Sequence, residues 1–279
     1  MASSDPVEIT ADRVERISCR KCGRHLDVSA VQPFSRVECP DCKTAQVVPM
    51  RLGPFLLLEL LGAGGMGAVY RALDQSLGRY VAIKVMRRAL GEDPQFVESF
   101  LREARAAAAI NHRNVVQIYS CGQEKGQPYI VMELVAGGRL DQLLAKGEPL
   151  GEVRALEIGM NIAEGLKAAN DIGLIHGDIK PANILFDKDG VAKVVDFGLA
   201  RFMTRQSDAG EVWGTPYYIA PEKAQGHKVD HRSDIYSLGA TLYHALGAKP
   251  PFEGDTATDV VVARLKSPAL GLRAIRPLL

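Results

Sequence analysis

Short apolar runs dominate the chain between residues 55 and 134. Their β-branched and aromatic residues predict five strands, at 55–61, 68–73, 80–86, 115–120 and 129–134. Between the third and fourth runs lies an alanine-rich segment with Pro94 in its first turn, which predicts a helix over 94–110. This part of the chain is therefore expected to be rich in β-sheet.

Beyond the turn at 136–138 the apolar spacing becomes helical. The clearest predicted helices are 140–144, 151–172 and 234–246. A sheet-rich part followed by a helix-rich part is typical of an α+β protein with two lobes.

The residues before 55 differ in composition from those that follow. Residues 1–16 are polar and acidic and predict a flexible tail. Residues 17–50 form a cysteine-bearing segment with few apolar side chains, and 51–54 form a short linker. We therefore expect a small separate module at 17–50, ahead of the α+β part.

Composition and charge exclude several classes of protein. The chain has 279 residues, of which 47% are hydrophobic and 24% charged, so it is not a wholly disordered chain. Its net charge of +1 argues against a dedicated nucleic-acid binder. No apolar run approaches the ~18 residues of a membrane span, and the N-terminus is unlike a secretory signal. A cytoplasmic protein is the resulting expectation.

Four of the five cysteines form two Cys-x-x-Cys pairs, Cys19 with Cys22 and Cys39 with Cys42. Two such pairs at this separation predict a tetrahedral Zn²⁺ site, and so small a module would need the metal in order to fold. Reduced core cysteines or a redox pair are the alternatives. The charges of the module nearly cancel once zinc thiolates are counted, which favours a structural or protein-contact role over nucleic-acid binding. Cys121 stands alone and is expected to be a buried thiol without a function.

A glycine-rich segment at 62–69 follows a predicted strand and leads into another. Glycines let backbone N–H groups approach phosphates closely, but dinucleotide-binding proteins share this spacing. Their motif opens a helix, whereas here a strand follows that ends in Val-Ala-Ile-Lys84. A lysine in an apolar strand requires an anion, unless it merely reaches solvent at the strand edge. Glu103 is the expected partner because its helix offers it no local cation, whereas Glu98 has Arg102 four residues on.

Three further motifs follow in order: Ile-His-Gly-Asp-Ile-Lys-Pro-Ala-Asn at 175–183, Asp-Phe-Gly at 196–198 and Ala-Pro-Glu at 220–222. With the glycine segment and Lys84, this ordered set resembles the eukaryotic-like serine/threonine protein kinases, in particular their bacterial branch. The resemblance covers residues 55–279. It implies a bilobal kinase fold, with an N-lobe at 55–132, a hinge at 133–138 and an incomplete C-lobe at 139–279.

The resemblance also implies roles for individual residues. Lys84, fixed by Glu103, would hold the α- and β-phosphates of ATP. Asp178 would accept or orient the substrate hydroxyl proton, and Lys180 would neutralise the γ-phosphate. Asn183 and Asp196 would hold Mg²⁺ or Mn²⁺. The remaining nucleotide contacts would come from the glycine segment and the adenine-binding positions, namely Gly62, Gly64, Gly67, Leu61, Val69, Ala82, Met132, Glu133, Val135 and Leu185.

Two features depart from the family pattern. Gly177 stands where an arginine usually precedes the catalytic aspartate, and the chain stops at Leu279, before the family's arginine that pairs with Glu222. The second departure predicts a truncated C-lobe. Asp234 resembles the helix acid that braces the catalytic loop.

The sequence leaves two functions from different classes open. One is a kinase that phosphorylates serine or threonine in proteins, with autophosphorylation expected at Thr204, Ser207 or Thr215. The other is a pseudokinase or nucleotide-binding scaffold that recruits partners through the zinc ribbon. A zinc-dependent nucleic-acid binder is disfavoured by the neutral ribbon.

Overall fold

The computed structural model describes residues 9–197 and 216–279. The chain divides into two compact units. The first runs through Arg102 and includes Ile118–Leu134, and the second comprises Glu103–Gln117 and the chain from Val135 onward. No helix in the described ranges is long and apolar enough to cross a lipid bilayer.

The first unit is built on β-strands, as the apolar runs predict. In chain order its strands are β1 (Asp12–Arg13), β2 (Arg16–Ser18), β3 (His25–Asp27), β4 (Arg36–Glu38), β5 (Ala45–Val47), β6 (Met50–Leu52), β7 (Phe55–Gly64), β8 (Gly67–Asp74), β9 (Arg79–Met86), β10 (Ile118–Glu124) and β11 (Gln127–Met132). Seven of them form an antiparallel sheet in the order β1-β6-β7-β8-β9-β11-β10. The remaining four form the hairpins β2–β3 and β4–β5, which carry the cysteines.

Part of the tail predicted at residues 1–16 forms a β-strand. Residues 12–13 form β1, the edge strand beside β6, and the pair Asp12↔Arg51 sets its register. Just before it, the Thr10 backbone N–H donates to Gln127 Oε1 at 2.6 Å. Backbone pairing can recruit a polar segment to a sheet edge, because it needs no apolar side chains.

The cysteine module packs against the large sheet. The Phe34 ring stacks on Tyr70 of β8, with 5.6 Å between ring centroids. Phe34, Ile9, Ala11 and Met50 all pack on the buried cluster that contains Tyr70. This contact buries apolar surface that a module of this size could not bury alone.

The helices are α1 (Arg88–Gly91), α2 (Pro94–Ala108), α3 (Leu140–Leu144), α4 (Glu152–Asp171), α5 (Pro221–Ala224), α6 (His231–Gly247), α7 (Ala257–Lys266) and α8 (Leu272–Ile275). In the second unit α4 packs along α6, with Ile158 and Ile162 of α4 fully buried. A small hairpin of β12 (Ile184–Phe186) and β13 (Ala192–Val194) lies beside α4. The predicted α+β class, with a sheet-rich part before a helical part, is confirmed.

Three local predictions differ from the structure. The strand predicted at 115–120 starts at Ile118, because Val115 pairs with Val194 and the Val116 N–H donates to the Val194 carbonyl at 2.8 Å. The strand predicted to end at Leu61 continues to Gly64, because β7 and β8 stay paired as far as Gly64↔Gly67. Cys121 is half-buried rather than buried.

Candidate active site

Four residues predicted to contact the nucleotide lie on one face of the large sheet. Val69 of β8 is paired with Lys84 of β9, and Ala82 of β9 is paired with Met132 of β11. Paired residues, and residues two apart on a strand, share a face. The face that carries Val69, Ala82, Lys84 and Met132 is therefore opposite to Tyr70, on which the cysteine module packs.

The predicted phosphate-binding glycines lie in the β7–β8 hairpin. Gly62 pairs with Val69, and Gly64 pairs with Gly67. A Cβ atom added at Gly67 would lie 2.1 Å from the Val85 carbonyl oxygen, whereas one added at Gly64 would have no atom within 4 Å. Gly67 thus permits the close approach of β8 to β9. Leu61 lies at a register shift in β7, and its side chain is largely exposed.

In the second unit, the residues predicted to carry the chemistry are in direct contact. The Lys180 ammonium lies 2.7 Å from Asp178 Oδ2. Asn183 Nδ2 donates to the same Oδ2 at 3.1 Å and to the Asp178 carbonyl oxygen at 2.8 Å. The Asp178 carboxylate is therefore held by a cation and an amide, while about a fifth of its side-chain surface stays exposed. A carboxylate fixed in this way can accept or orient a proton.

A buried framework holds this loop in place. Asp234 of α6 accepts the backbone N–H of His176 at 2.8 Å and that of Gly177 at 2.7 Å. His176 is almost fully buried, and its Nε2 lies 2.9 Å from the Val195 carbonyl oxygen. The Val195 N–H donates to the Asn183 carbonyl at 3.1 Å. The predicted bracing position of Asp234 is present.

Asp196 has a backbone φ of +69°, in the left-handed region. Aspartate tolerates this region better than most residues, but it is still uncommon and is concentrated at functional sites. The amide nitrogen of Asn183 is committed to Asp178, so its amide oxygen is the atom suited to a cation. Together with a carboxylate, this is the hard oxygen donor set that Mg²⁺ prefers, so the residues present fit this ion.

The other predicted residues are placed as follows. Glu103 lies on α2, Leu185 lies on β12 and is half-buried, and Glu133 and Val135 follow β11. The Ser233 hydroxyl donates to the carboxylate of Glu222, the residue whose family partner is an arginine. The predicted phosphorylation positions Thr204, Ser207 and Thr215 lie outside the described residues.

Sequence reasoning missed one contact of the loop. Lys223 Nζ, on α5, donates to the Gly177 carbonyl oxygen at 2.6 Å. No pattern in the sequence indicates this pair, because 46 residues separate its members.

The four paired cysteines converge, as their spacing predicts. Their Sγ atoms all lie within 4.8 Å of one another, with Cys19–Cys42 at 3.5 Å and Cys22–Cys39 at 3.6 Å. Thiolates bound tetrahedrally at ~2.3 Å from Zn²⁺ would be ~3.8 Å apart, so the cluster fits this metal. The hydroxyl and backbone N–H of Thr44 lower the pKa of Cys42 to about 6. The backbone hydrogen bond at Arg24 lowers the pKa of Cys22, but burial and the neighbouring cysteines outweigh it and raise this pKa to about 12, so the shifts within the cluster run in both directions.

The two cysteine turns have the same backbone form. The Gly23 N–H donates to the Cys19 carbonyl at 2.8 Å, and the Lys43 N–H donates to the Cys39 carbonyl at 2.9 Å. Both Gly23 and Lys43 adopt a left-handed φ, of +76° and +56°. Glycine takes this conformation without strain, and the second turn imposes the same conformation on a lysine.

Comparisons with known proteins agree with this arrangement. The family model described as protein kinase domain matches residues 55–272. A probable serine/threonine-protein kinase of Streptomyces coelicolor, SCO3848, is 42% identical over 227 residues, which are 78% of this chain and 34% of the relative. The serine/threonine-protein kinase PknA of Mycobacterium tuberculosis is 40% identical over 77% of this chain and 52% of its own length. This chain thus spans about a third to a half of these curated relatives.

A solved structure is similar as well. The crystal structure of the M. tuberculosis PknI kinase domain is 28% identical, covers 81% of this chain and 82% of its own, and has a TM-score of 0.65. The matched family segment begins at Phe55, directly after the cysteine module and its linker. The chain belongs to the protein kinase domain family, because the family model matches most of its length and the ordered motifs and the position of Asp178 agree with that match.

Proposed function

We propose that the chain transfers the γ-phosphoryl group of ATP to serine or threonine hydroxyls of proteins. The observation that carries this proposal is the Asp178 carboxylate, held by Lys180 and Asn183 within hydrogen-bonding distance. Phosphoryl transfer depends mainly on positioning and on charge neutralisation, and this loop provides both. The curated relatives named as serine/threonine kinases support the choice of acceptor.

In this proposal each side chain has a defined task. Lys84 binds the α- and β-phosphates and is oriented by Glu103. Asp178 orients the acceptor hydroxyl and takes up its proton as the new P–O bond forms and the bond to the ADP leaving oxygen breaks. Lys180 stabilises the charge of the transferred group.

Asn183 and Asp196 are the proposed Mg²⁺ ligands. When bound, this ion neutralises charge on the phosphate oxygens. Asn183 is anchored to Asp178, and the residue before Asp196 is anchored to the Asn183 carbonyl, so both proposed ligands belong to the hydrogen-bonded framework of the loop.

The cysteine cluster is proposed to hold one structural Zn²⁺ ion. The module at 17–50 then forms a stable support on the face of the sheet opposite to Lys84. A cytoplasmic location and autophosphorylation at Thr204, Ser207 or Thr215 stay predictions from the sequence.

The test is transfer of radiolabelled γ-phosphate to a generic acceptor protein, followed by phosphoamino-acid analysis. Label should appear on serine or threonine. Lys84→Met and Asp178→Asn should each reduce the rate by ~10²- to 10³-fold. Asp171→Asn makes the same chemical change at an exposed ion pair with Lys167 and should leave the rate unchanged.

Nucleotide binding distinguishes the alternative function. A folded chain that binds Mg-ATP but transfers no phosphate would support the pseudokinase scaffold instead. Equal rates for wild type and Asp178→Asn would show that the assigned aspartate is not the catalytic one.

A further inference from the structure

Residue 177 has no side chain with which to hold its own position. It is a glycine with a φ of +74°, a conformation that a residue with a Cβ adopts only with strain. It is also directly followed by Asp178. Lys180 and Asn183 hold the Asp178 carboxylate, but the backbone from which this side chain extends is set by what holds Gly177.

Two groups from outside the loop hold this glycine. Its N–H donates to Asp234 Oδ1 at 2.7 Å, and its carbonyl oxygen accepts from Lys223 Nζ at 2.6 Å. One anchor is an anion on the N–H and the other is a cation on the carbonyl. Charge-assisted hydrogen bonds of this kind are stronger than neutral ones.

The ammonium of Lys223 is also placed to balance the charge of the loop. The Asp178 and Asp234 carboxylates carry two negative charges and Lys180 carries one positive charge, so a second cation is needed for neutrality. Burial lowers the pKa of Lys223, whereas the carboxylates of Asp178 and Asp234 act in the opposite direction and Lys180 adds to the lowering. The Lys223 side chain is half-buried, and a partly buried ammonium group costs free energy unless it is paired with acceptors or anions.

The acidic neighbour in sequence does not account for the position of Lys223. The Glu222 carboxylate accepts from the Ser233 hydroxyl. Lys223 instead extends to a backbone oxygen that directly precedes the proposed catalytic residue.

We propose that Lys223 is a positioning residue of the phosphotransfer site: it supplies, from α5, the cation that position 177 lacks, and its bond to the Gly177 carbonyl sets the direction of Asp178. This inference rests on the proposed kinase function. Lys223 should affect turnover rather than ATP binding, because it holds the loop that carries Asp178 and not the β7–β8 hairpin.

The test compares Lys223→Met with Lys223→Arg in the full chain, using Lys228→Met as the matched control, since Lys228 is exposed on the same segment. In Lys223→Met, kcat should fall by about 10- to 100-fold, the loss expected from a misplaced catalytic group, with KM for ATP changed less than about twofold. Lys223→Arg should restore most of kcat, because it returns the charge and a donor. Lys228→Met should match the wild type.

Three results would overturn the proposal. The first is an unchanged kcat in folded Lys223→Met. The second is a loss of kcat in Lys223→Arg as large as that in Lys223→Met. The third is a rise in KM for ATP in Lys223→Met by the same factor as the fall in kcat. If Lys223→Met does not fold, Lys223→Gln replaces it, since glutamine keeps a donor but removes the charge and should still lose turnover.

A second readout does not depend on activity. The amide of Asp178 belongs to the same peptide group as the Gly177 carbonyl, so its ¹⁵N chemical shift reports the bond from Lys223. This resonance should move in Lys223→Met and stay near its wild-type position in Lys223→Arg. A wild-type chain that transfers no phosphate would refute the proposed function, while an unmoved Asp178 resonance would refute the role of Lys223.

Discussion

A comparison of Gly67→Ala with Gly64→Ala should separate the packing of the β7–β8 hairpin from its phosphate binding. The new Cβ would lie 2.1 Å from the Val85 carbonyl oxygen and 2.9 Å from Met86 Cα. Both are backbone atoms of β9, so no change of side-chain rotamer relieves the overlap. The two strands must move apart by more than ~1 Å to restore van der Waals distances.

The expected cost follows from that displacement. Overpacking in a closely packed element costs ~1–3 kcal/mol, and each weakened ladder hydrogen bond adds ~0.5–1.5 kcal/mol. We expect Gly67→Ala to lower the free energy of unfolding by about 2–3 kcal/mol. For a chain of this size that corresponds to a fall in melting temperature of about 4–12 °C. Because Val69 pairs with Lys84, KM for ATP should rise as well.

Gly64→Ala is the matched control. Gly64 pairs with Gly67 across the hairpin, but an added Cβ there meets no atom within 4 Å. Its melting temperature should stay within about 1 °C of wild type. A rise in its KM for ATP would then report phosphate approach alone. If calorimetry shows that Gly64→Ala lowers the melting temperature while Gly67→Ala does not, the assigned register of the hairpin and the close approach of Gly67 to Val85 are refuted.

Two further predictions concern the cysteine module. Phe34→Ala should lower the free energy of unfolding of the first unit by ~1–2 kcal/mol in a denaturant titration, because it removes the ring that stacks on Tyr70. Phe34→Gly should lower the free energy of unfolding by less than Phe34→Ala, since glycine accepts the φ of +66° found there. A glycine variant less stable than the alanine variant would contradict this. Elemental analysis should find one zinc per chain, and Cys39→Ser should lower that content, because a hydroxyl replaces one of four thiolates. A folded module without metal would refute the zinc site.

Local patterns in the sequence were sufficient to predict the family and most of the secondary structure. The strands from Phe55 to Met86, the helix beginning at Pro94 and the convergence of two cysteine pairs depend on the composition and spacing of short segments. The glycine segment and the catalytic loop are also continuous stretches of chain. Their residue types therefore indicate their chemistry without knowledge of the fold.

Tertiary structure decided which distant residues meet. The edge strand at Asp12 forms because β6 offers unpaired backbone groups, and such pairing carries no apolar signature in the sequence. Phe34 covers Tyr70, and Lys223 reaches Gly177, only because the folded sheet and the loop bring these segments together. A hydrogen bond or a ring contact between remote residues requires only one side chain at the correct distance, and a single residue leaves no periodicity or motif from which it could be predicted.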